Sequence, residues 1–505
     1  MPTDYQGRRV IILGLARQGT ALARYLAQSG ARVVVSDMRP ADKLAAEGRL
    51  AALSDLPIEY VLGGHPPTLL DGADLLCLSG GVPAGLPLAQ EARRRGVALS
   101  NDSQVFLEAC PAGVTVVGIT GSAGKTTTTT LVGRMLAPLT PFPSPPPSAG
   151  ERGEGVGGRG VRQVWVGGNI GNPLIAEVHR MGAGDVVVME LSSFQLELMT
   201  LSPPVAAVLN ITPNHLDRHG TMEAYTTAKS RILRRQSAQD VAILGLDDPG
   251  ARGLAPLAPG RVVYFSGERP VQEGAFLRDE MIVFRQAGRE HIVCPIREIQ
   301  LRGRHNQLNV LAACATAGEV FSLPLAGASS GDLAISPGDA SRARGAAAAA
   351  AEAMRAAIVG FVGVEHRLEF VRERAGVKWY NDSIASAPER VIAALKSFAE
   401  PIVLLAGGRD KNLPWAEFAR LVHDRVKHVV LFGEAGSLIL QALEAADMAP
   451  ARFTLCATLA EAVRAAAGQS ERGDVVLLSP GCASFDEFRD FAERGEKFRE
   501  WVRAL

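Results

Sequence analysis

Residues 114–135 read VTVVGITGSAGKTTTTTLVGRM, the most informative segment of this 505-residue chain. The run of β-branched residues at its start predicts a buried strand, and the apolar spacing after the threonines predicts a helix. Glycines at 121 and 124 leave the backbone free to wrap an anion with its N–H groups pointing inward. The start of the helix adds the positive end of its dipole. The segment is therefore predicted to be a strand, a phosphate-binding loop and a helix.

Lys125 and Thr126 give this loop the chemistry of a nucleotide site. In P-loops, a lysine at this point reaches the β- and γ-phosphates, and the hydroxyl that follows binds Mg²⁺. The general P-loop pattern has glycine where Ile119 stands. The alternative is a glycine turn that caps an ordinary helix, and that interpretation leaves the lysine without a use. The residues predicted to bind ATP are Gly121, Ser122, Ala123, Gly124, Lys125, Thr126 and Thr127.

The composition argues against several classes of protein. Basic and acidic residues balance at 53 each and aromatic residues make up 5% of the chain, so neither a nucleic-acid binder nor a membrane-surface binder is indicated. The six cysteines are far apart and lack CxxC spacing, which is typical of buried thiols in a reducing compartment. The N-terminus leads straight into a predicted strand, and no segment has the length of a membrane span. We therefore expect a cytoplasmic protein without nucleic-acid or membrane partners.

Residues 1–104 are predicted to form a small Rossmann-like domain. A strand over 9–13 runs into a G-x-A-x-x-G turn, and after a helix the second strand ends at Asp37, an acid able to hold a ribose. Ala16 replaces the second glycine of the pattern, which argues against close approach by a pyrophosphate. A second loop begins at Ser79, after another predicted strand over residues 75–78. Both loops are predicted to share one pocket, although both can also be read as tight turns.

Residues 105–362 are predicted to form the nucleotide-binding domain, with a mostly parallel sheet. An apolar strand ends at Glu190, where a carboxylate facing a P-loop would complete a Mg²⁺ site. His215 and Asp217 follow another strand, so metal or phosphate contact is favoured over a structural role. Lys229 lies on a predicted helix, where a lysine is usually solvated.

Two low-complexity tracts interrupt this domain. Residues 140–162, TPFPSPPPSAGERGEGVGGRGVR, hold too few apolar residues to offset the entropy of ordering, so a disordered insertion is predicted. Residues 327–351 are rich in glycine, alanine and serine and are interpreted as a second insertion, whose polyalanine end is suited to extending a helix.

Residues 363–505 resume the alternation of strands and helices, and polar residues follow each predicted strand. The last helix is predicted to begin near residue 485. This pattern predicts a third, Rossmann-like α/β domain that closes over substrate. The fold class is therefore α/β with three domains, with hinges expected near residues 104 and 362.

Taken together, these motifs resemble the Mur ligase family, the ATP-dependent amino-acid ligases of peptidoglycan synthesis. The resemblance covers nearly the whole chain except the two insertions. It is carried by residues 120–127, 168–171, 190–197 (ELSSFQLE), 210–219, 228–229, 303–309, 366–367 and 477–488.

The resemblance implies a reaction and its cofactors. It implies that the chain adds D-glutamate to UDP-N-acetylmuramoyl-L-alanine through an acyl phosphate, using ATP and two Mg²⁺ ions. It further implies a monomer in which Lys229 is carbamylated by CO₂ and so becomes an oxygen ligand for magnesium. The implied catalytic residues are Lys125, His215 and Lys229. The implied magnesium ligands are Thr126, Glu190, His215 and Lys229.

The resemblance also assigns contacts with the substrates. Asp37 and Ser79 would hold the uridine diphosphate, so the first domain would bind UDP rather than NAD. Arg367 and Asp382 would contact ATP from the third domain. The muramoyl-alanine end would meet Asn169, Ser192 and Gln195. The incoming glutamate would be positioned by Lys411, Ser484 and Phe491.

The sequence departs from the family pattern at two places. Ala123 stands where many members have asparagine, and the family string NDSKATN reads NDSIASA over residues 381–387. The second departure touches the glutamate site and leaves the choice between D- and L-glutamate open. Three alternatives also remain: a sister ligase that adds L-glutamate or acts on folates, a nicotinamide oxidoreductase, and a non-catalytic nucleotide-binding module.

Overall fold

The computed structural model describes residues 4–137, 163–322, 339–410 and 413–505. The predicted insertion at 140–162 and residues 327–338 of the second tract lie outside the described residues. The described chain divides into two compact units. The first unit takes in the chain up to Ile299 together with Arg304–Gly360, and the second consists of Gln300–Gly303 and Phe361–Leu505.

The first unit begins with a five-stranded sheet. Its strands are β1 Arg9–Leu13, β2 Arg32–Asp37, β3 Glu59–Leu62, β4 Leu75–Leu78 and β5 Ala98–Ser100. They lie in the order β3-β2-β1-β4-β5, and every neighbouring pair is parallel. Continuous apolar runs suit strands that are covered on both faces. The accompanying helices are α1 Arg17–Gln28, α2 Ala41–Ala46, α3 Pro87–Arg94 and α4 Asp102–Ala109. The Rossmann-like prediction for this part of the chain is confirmed.

A nine-stranded sheet completes the first unit. Its strands are β6 Thr115–Thr120, β7 Val164–Gly168, β8 Val186–Glu190, β9 Val205–Val208, β10 Val241–Gly245, β11 Arg261–Ser266, β12 Gly274–Arg278, β13 Met281–Gln286 and β14 Arg289–Pro295. The order is β14-β13-β12-β11-β10-β9-β6-β8-β7. The sheet is parallel except for the antiparallel pairs β12–β13 and β13–β14, which confirms the mostly parallel prediction.

Seven helices of the described residues accompany this sheet. They are α5 Lys125–Leu136, α6 Ser193–Leu196, α7 Leu216–His219, α8 Met222–Arg234, α9 Pro249–Arg252, α10 Arg304–Ser322 and α11 Asp339–Val359. The polyalanine end of the second low-complexity tract therefore forms part of α11, as the alanine content favours.

The second unit holds a six-stranded sheet. Its strands are β15 Glu369–Arg374, β16 Val377–Asn381, β17 Ile402–Gly407, β18 Val426–Phe432, β19 Phe453–Leu455 and β20 Val475–Gly481. The order is β15-β16-β20-β17-β18-β19, with only β15–β16 antiparallel. The helices are α12 Pro388–Leu395, α13 Ala416–Arg425, α14 Gly436–Glu444, α15 Leu459–Gln469 and α16 Phe491–Ala504. These strands and helices form the third α/β domain that the sequence predicts.

Two boundaries differ from prediction. The last helix begins at Phe491 rather than near 485, because Asp490 caps it: its Oδ1 accepts a hydrogen bond from the backbone N–H of Glu493 at 2.9 Å. The expected hinge near residue 104 does not coincide with a division between units, whereas the one near 362 lies beside the division after Gly360.

Candidate active site

The carboxyl ends of neighbouring parallel strands in the second sheet bring the predicted residues together. β6 lies between β8 and β9, and Glu190 stands in register with Ile119 on one side and Gly168 on the other. Because parallel strands all end at the same edge of a sheet, the loops that follow them share one space. The phosphate loop, Glu190 and Asn169 therefore meet.

The phosphate loop lies between β6, which ends at Thr120, and α5, which begins at Lys125. Gly124 has φ of +83°, and a Cβ built there would lie 2.1 Å from the Asn309 Oδ1 atom. Asn210 holds the loop from the end of β9, since its main-chain oxygen accepts from Ser122 N at 3.0 Å and its Oδ1 accepts from Ala123 N at 2.8 Å. The strand, loop and helix prediction is confirmed.

Lys125 folds back over its own loop, where its Nζ donates to the main-chain oxygen of Gly121 at 2.9 Å. Thr126 follows, and its hydroxyl donates to the Glu190 Oε2 atom at 2.8 Å. The other carboxylate oxygen accepts from Asn169 Nδ2 at 2.9 Å. Glu190 is thus held between two loops beside the start of α5.

Lys229 is 1% exposed, so the solvated interpretation of this lysine is wrong. Its Nζ donates to the main-chain oxygen of Gly121 at 2.9 Å and to Thr120 Oγ1 at 3.3 Å. The same nitrogen lies 4.9 Å from the centre of the Tyr225 ring. Burial first, and the charge of Lys125 second, lower the pKa of Lys229 well below its ordinary value, against the opposing effect of Glu190. The site therefore favours a neutral amine.

Aromatic rings surround the residues that follow β9. The His215 ring meets the Phe194 ring edge-on at 5.0 Å between centroids, and the His219 ring stacks on Phe194 at 5.3 Å. His215 itself is exposed and has φ of +53°, an uncommon conformation for a residue with a side chain. Such conformations cluster at functional sites. Sequence reasoning missed Tyr225, whose hydroxyl donates to Ser122 Oγ at 3.0 Å.

Asp37 closes the first turn of the first sheet. Its Oδ2 accepts from Leu15 N at 2.7 Å and from Arg39 Nη2 at 2.9 Å, and its Oδ1 accepts from Arg39 Nε at 3.0 Å. Burial opposes ionisation, but these hydrogen bonds lower the pKa of Asp37 to about 2. Both carboxylate oxygens of Asp37 already accept hydrogen bonds from groups of the protein. The predicted contact with a ribose therefore stays a prediction.

A narrow cleft brings the loop after β4 against the ELSSFQ segment. Its lining includes Ser79, Asn101, Phe194, Gln195 and Arg218. The Arg218 guanidinium lies 3.8 Å from the centre of the Phe194 ring, close enough for a cation–π contact.

The capping box at the start of α6 uses two predicted substrate contacts. Gln195 N donates to Ser192 Oγ at 3.2 Å, and Ser192 N donates to Gln195 Oε1 at 3.0 Å. The side chains of Ser192 and Gln195 thus already accept hydrogen bonds from the backbone at the start of α6.

In the second unit, Asp382 is buried at the end of β16. Ser479 Oγ donates to its Oδ2 at 2.7 Å and Leu368 N donates to its Oδ1 at 3.2 Å. Burial raises the pKa of Asp382 to about 7, opposed by these bonds and by the charges of Arg367 and Arg390.

The predicted glutamate contacts differ in exposure. Ser484 is buried, and Phe491 is 40% exposed at the start of α16. Lys411 lies outside the described residues.

Arg494 is a residue that sequence reasoning missed. It is fully buried, donates to the main-chain oxygen of Ser383 at 2.8 Å and to its hydroxyl at 3.0 Å, and donates to the main-chain oxygens of Cys482 and Ala483 at 3.2 Å each. Burial lowers its pKa to about 10. One guanidinium thus ties the loop after β16 to the loop after β20. An arginine in a charged C-terminal helix resembles a surface residue, so the sequence carries no signal for this role.

The donors beside the phosphate loop suit a hard cation. Thr126 and Glu190 present oxygen atoms, which magnesium prefers, and magnesium sites in proteins commonly use one or two carboxylates completed by substrate phosphates. Within the described ranges, no group of three or more His, Cys, Asp and Glu side chains is placed to hold a metal alone. The residues therefore fit a magnesium ion that shares its ligands with a nucleotide.

Three family models match the chain. The Mur ligase MurD-like N-terminal domain matches residues 8–101, the Mur ligase middle domain matches 119–317, and the Mur ligase glutamate ligase domain matches 366–482. A protein of Symbiobacterium thermophilum, named UDP-N-acetylmuramoylalanine–D-glutamate ligase, is 42% identical, with 98% of both chains covered. The chain belongs to the Mur ligase family. This Mur ligase is also similar to proteins of the same name from Geobacter metallireducens, 40% identical over 99% of this chain and 98% of the relative, and from Pelotomaculum thermopropionicum, 38% identical over 100% and 99%.

Solved structures show the same three-part architecture. UDP-N-acetylmuramate-alanine ligase MurC from Thermotoga maritima aligns with a TM-score of 0.51 at 18% identity, covering 98% of this Mur ligase and 99% of that chain. MurF from Acinetobacter baumannii aligns with a TM-score of 0.52 at 17% identity, covering 97% and 93%. At these identities the likeness concerns the fold. Within the described residues, no helix of this Mur ligase combines the length and apolar character that crossing a membrane requires.

Proposed function

We propose that this Mur ligase uses ATP to join D-glutamate to the terminal carboxylate of UDP-N-acetylmuramoyl-L-alanine. One observation carries the proposal most directly: Lys125 Nζ and Lys229 Nζ both donate to the main-chain oxygen of Gly121 at 2.9 Å. The charge of Lys125 on this loop suits the binding of phosphate oxygens, and the buried amine of Lys229 suits the carbamate described below. The names and coverage of the curated relatives support this choice over a sister ligase or an oxidoreductase.

The chemistry we propose has two steps. The substrate carboxylate attacks the γ-phosphorus of ATP, and the bond to ADP breaks, which leaves an acyl phosphate. The amine of glutamate then attacks the acyl carbon, loses a proton, and expels phosphate. A carboxylate at neutral pH is a poor electrophile, and phosphorylation supplies its leaving group. The protein's contribution is positioning and charge stabilisation, through Lys125, the loop N–H groups and the start of α5.

Thr126 and Glu190 would hold the first magnesium ion, and His215 and Lys229 the second. Bound magnesium neutralises phosphate charge and so lowers the repulsion that an anionic nucleophile meets. Carbamylation of Lys229 forms an N–C bond to CO₂ and releases one proton, and only a neutral amine reacts. The lowered pKa of Lys229 supports this modification. A carbamate would then replace a buried amine with an oxygen ligand.

Asp37, Ser79, Asn169, Ser192 and Gln195 remain the proposed contacts of the UDP-sugar substrate. For glutamate we propose Lys411, Ser484 and Phe491, and for ATP, in addition to the phosphate loop, Arg367 and Asp382. We propose that the enzyme acts as a cytoplasmic monomer.

The test is a ligation assay with ATP, UDP-N-acetylmuramoyl-L-alanine and either D- or L-glutamate, read by phosphate release and by the mass of the product. The proposal expects product with D-glutamate and loss of activity in Lys125→Ala. Lys43→Ala, an exposed lysine on α2, is the matched control and should retain activity. Product with L-glutamate alone, or phosphate release without product, would contradict the assignment.

A further inference from the structure

The turn after β10 packs closely against the turn after β9. β9 and β10 are parallel neighbours, so both turns leave the sheet at the same edge. A Cβ built on Gly245 would lie 2.4 Å from the main-chain oxygen of Leu209, and one built on Gly250 would lie 2.7 Å from that of Ile211. Both distances are too short for a side chain, so glycine at these positions permits the approach. The two turns therefore meet backbone to backbone.

Asp248 adds a hydrogen bond across this contact. Its Oδ1 accepts from the backbone N–H of Ala251 at 2.7 Å, which caps α9, and from the backbone N–H of Ile211 at 3.0 Å. Ile211 is buried, and a buried N–H group without a partner costs free energy. The carboxylate thus satisfies a donor of the neighbouring turn as well as one of its own helix, and it fixes α9 to the turn after β9.

Residues 210–212, which we name the loop brace, hold the phosphate loop. The main-chain oxygen of Asn210 accepts from Ser122 N at 3.0 Å. The Asn210 side chain accepts from Ala123 N at 2.8 Å and donates to the Ala123 oxygen at 3.2 Å. Thr212 N donates to Ser122 Oγ at 2.9 Å, and that hydroxyl donates to the Thr212 oxygen at 2.9 Å. Asn210 and Thr212 flank the residue whose N–H group the carboxylate holds.

The phosphate loop has little of its own to fix its shape. Gly121 and Gly124 give its backbone conformational freedom, and the methyl group of Ala123 forms no hydrogen bond. A loop that is already in its bound shape loses less conformational entropy when the ligand arrives. A shift of the loop brace is therefore expected to weaken anion binding, although no residue of the anion site has changed.

We propose that Asp248 is a positioning residue for ATP. Its carboxylate holds the loop brace, and the loop brace holds residues 122–123 in the shape that receives the triphosphate. This role rests on the proposed function, because it concerns the binding of ATP. Asp248 itself needs no contact with the nucleotide. Its effect belongs to the binding of ATP and not to that of the UDP-sugar, whose proposed contacts lie on other loops.

Three substitutions of Asp248 separate this role from helix capping alone. Asp248→Asn keeps Oδ1 as an acceptor for both N–H groups, so it should bind ATP as the wild type does. Asp248→Ser keeps a helix cap, because serine caps about as well as aspartate, but its hydroxyl lies one bond closer to the backbone and does not reach Ile211. Asp248→Ala removes both bonds. We expect the Kd for ATP with Mg²⁺, measured by calorimetry, to rise about fivefold in Asp248→Ser and Asp248→Ala.

Thr458→Ala is the matched control, because it removes the N-cap of α15 in the second unit. It should leave the Kd for ATP unchanged, and all of these variants should keep the wild-type KM for the UDP-sugar. A wild-type Kd in Asp248→Ser would show that capping accounts for Asp248, and it would overturn the inference. A Kd raised as much in Asp248→Asn as in Asp248→Ala would assign the effect to charge and would overturn it as well.

Hydrogen exchange without nucleotide gives a second readout, which requires neither ATP binding nor turnover. Residues 210–212 should exchange faster in Asp248→Ser and Asp248→Ala than in the wild type and Asp248→Asn. Equal exchange in all four proteins would count against the role of Asp248. A protein that binds ATP but makes no product would refute the proposed function and leave both comparisons intact, so the two failures are distinguishable.

Discussion

Asp102 is expected to make the first unit less stable as the pH rises, and the replacement Asp102→Asn should remove that effect. The carboxyl is buried in the first turn of α4, and burial raises its pKa to about 6, against hydrogen bonds from its own backbone, Ser103 and Gln195. The ordinary value is 3.8. The folded state therefore holds the proton more tightly than the unfolded state does.

The sign and size follow from this difference. Stability from the bound proton is fully present below the ordinary pKa of 3.8 and is lost as the pH rises through the folded value of about 6. At about 1.4 kcal/mol for each pH unit between those values, the total loss is about 3 kcal/mol. Asparagine has nearly the same shape and does not titrate. The variant should match the wild type near pH 4 and exceed its stability by up to about 3 kcal/mol above pH 7.

The assay is hydrogen exchange of peptides from the first unit, measured at graded urea concentrations for both proteins at each pH. Asp382 also has a raised pKa, but it lies in the second unit and is common to both proteins, so its effect cancels in the difference. Asp42→Asn is the matched control, because Asp42 is an exposed acid in the first turn of α2. It should follow the wild type at every pH. If the stability difference between the wild type and Asp102→Asn stayed constant from pH 4 to pH 8, the reasoning would be refuted.

Three further predictions concern the site. Gly124→Ala forces a side chain into a left-handed conformation 2.1 Å from the Asn309 Oδ1 atom, so kcat/KM for ATP should fall about tenfold; an unchanged value would count against a strained phosphate loop. Arg494→Lys keeps the charge but has fewer donors, so the KM for glutamate should rise about tenfold with the KM for ATP unchanged; equal changes in both would contradict a local role. Removing CO₂ and bicarbonate should lower kcat in the wild type and added bicarbonate should restore it, whereas Lys229→Arg should not respond; a wild type indifferent to bicarbonate would exclude a carbamate.

Central parallel strands were predictable from sequence because their burial on both faces demands unbroken apolar, β-branched runs. β1 and β4 match the predicted 9–13 and 75–78 residue for residue. The parallel strands β10 and β11 were not predicted, and neither were the strands β12, β13 and β14. The last three form the antiparallel edge of the second sheet, and their charged residues on the open face hide the strand pattern.

The candidate site shows the same contrast. Features set by neighbouring residues were predictable, and features set by contacts between distant parts of the chain were not. The phosphate loop was predictable since glycine, lysine and threonine spacing is local. The burial of Lys229 was not, because it depends on α8 packing against a loop 108 residues away in sequence. Gln195 and Arg494 take partners 92 and 111 residues away, which no local pattern records.

The central claim is that ATP activates the substrate carboxylate by phosphorylating it, and an isotope experiment tests this most directly. UDP-N-acetylmuramoyl-L-alanine labelled with ¹⁸O in its terminal carboxylate is turned over with ATP and D-glutamate, and the released phosphate is analysed by mass spectrometry. An acyl phosphate transfers one carboxylate oxygen to phosphate in each turnover, so the phosphate should carry one ¹⁸O atom. Unlabelled phosphate released together with amide product would contradict the account.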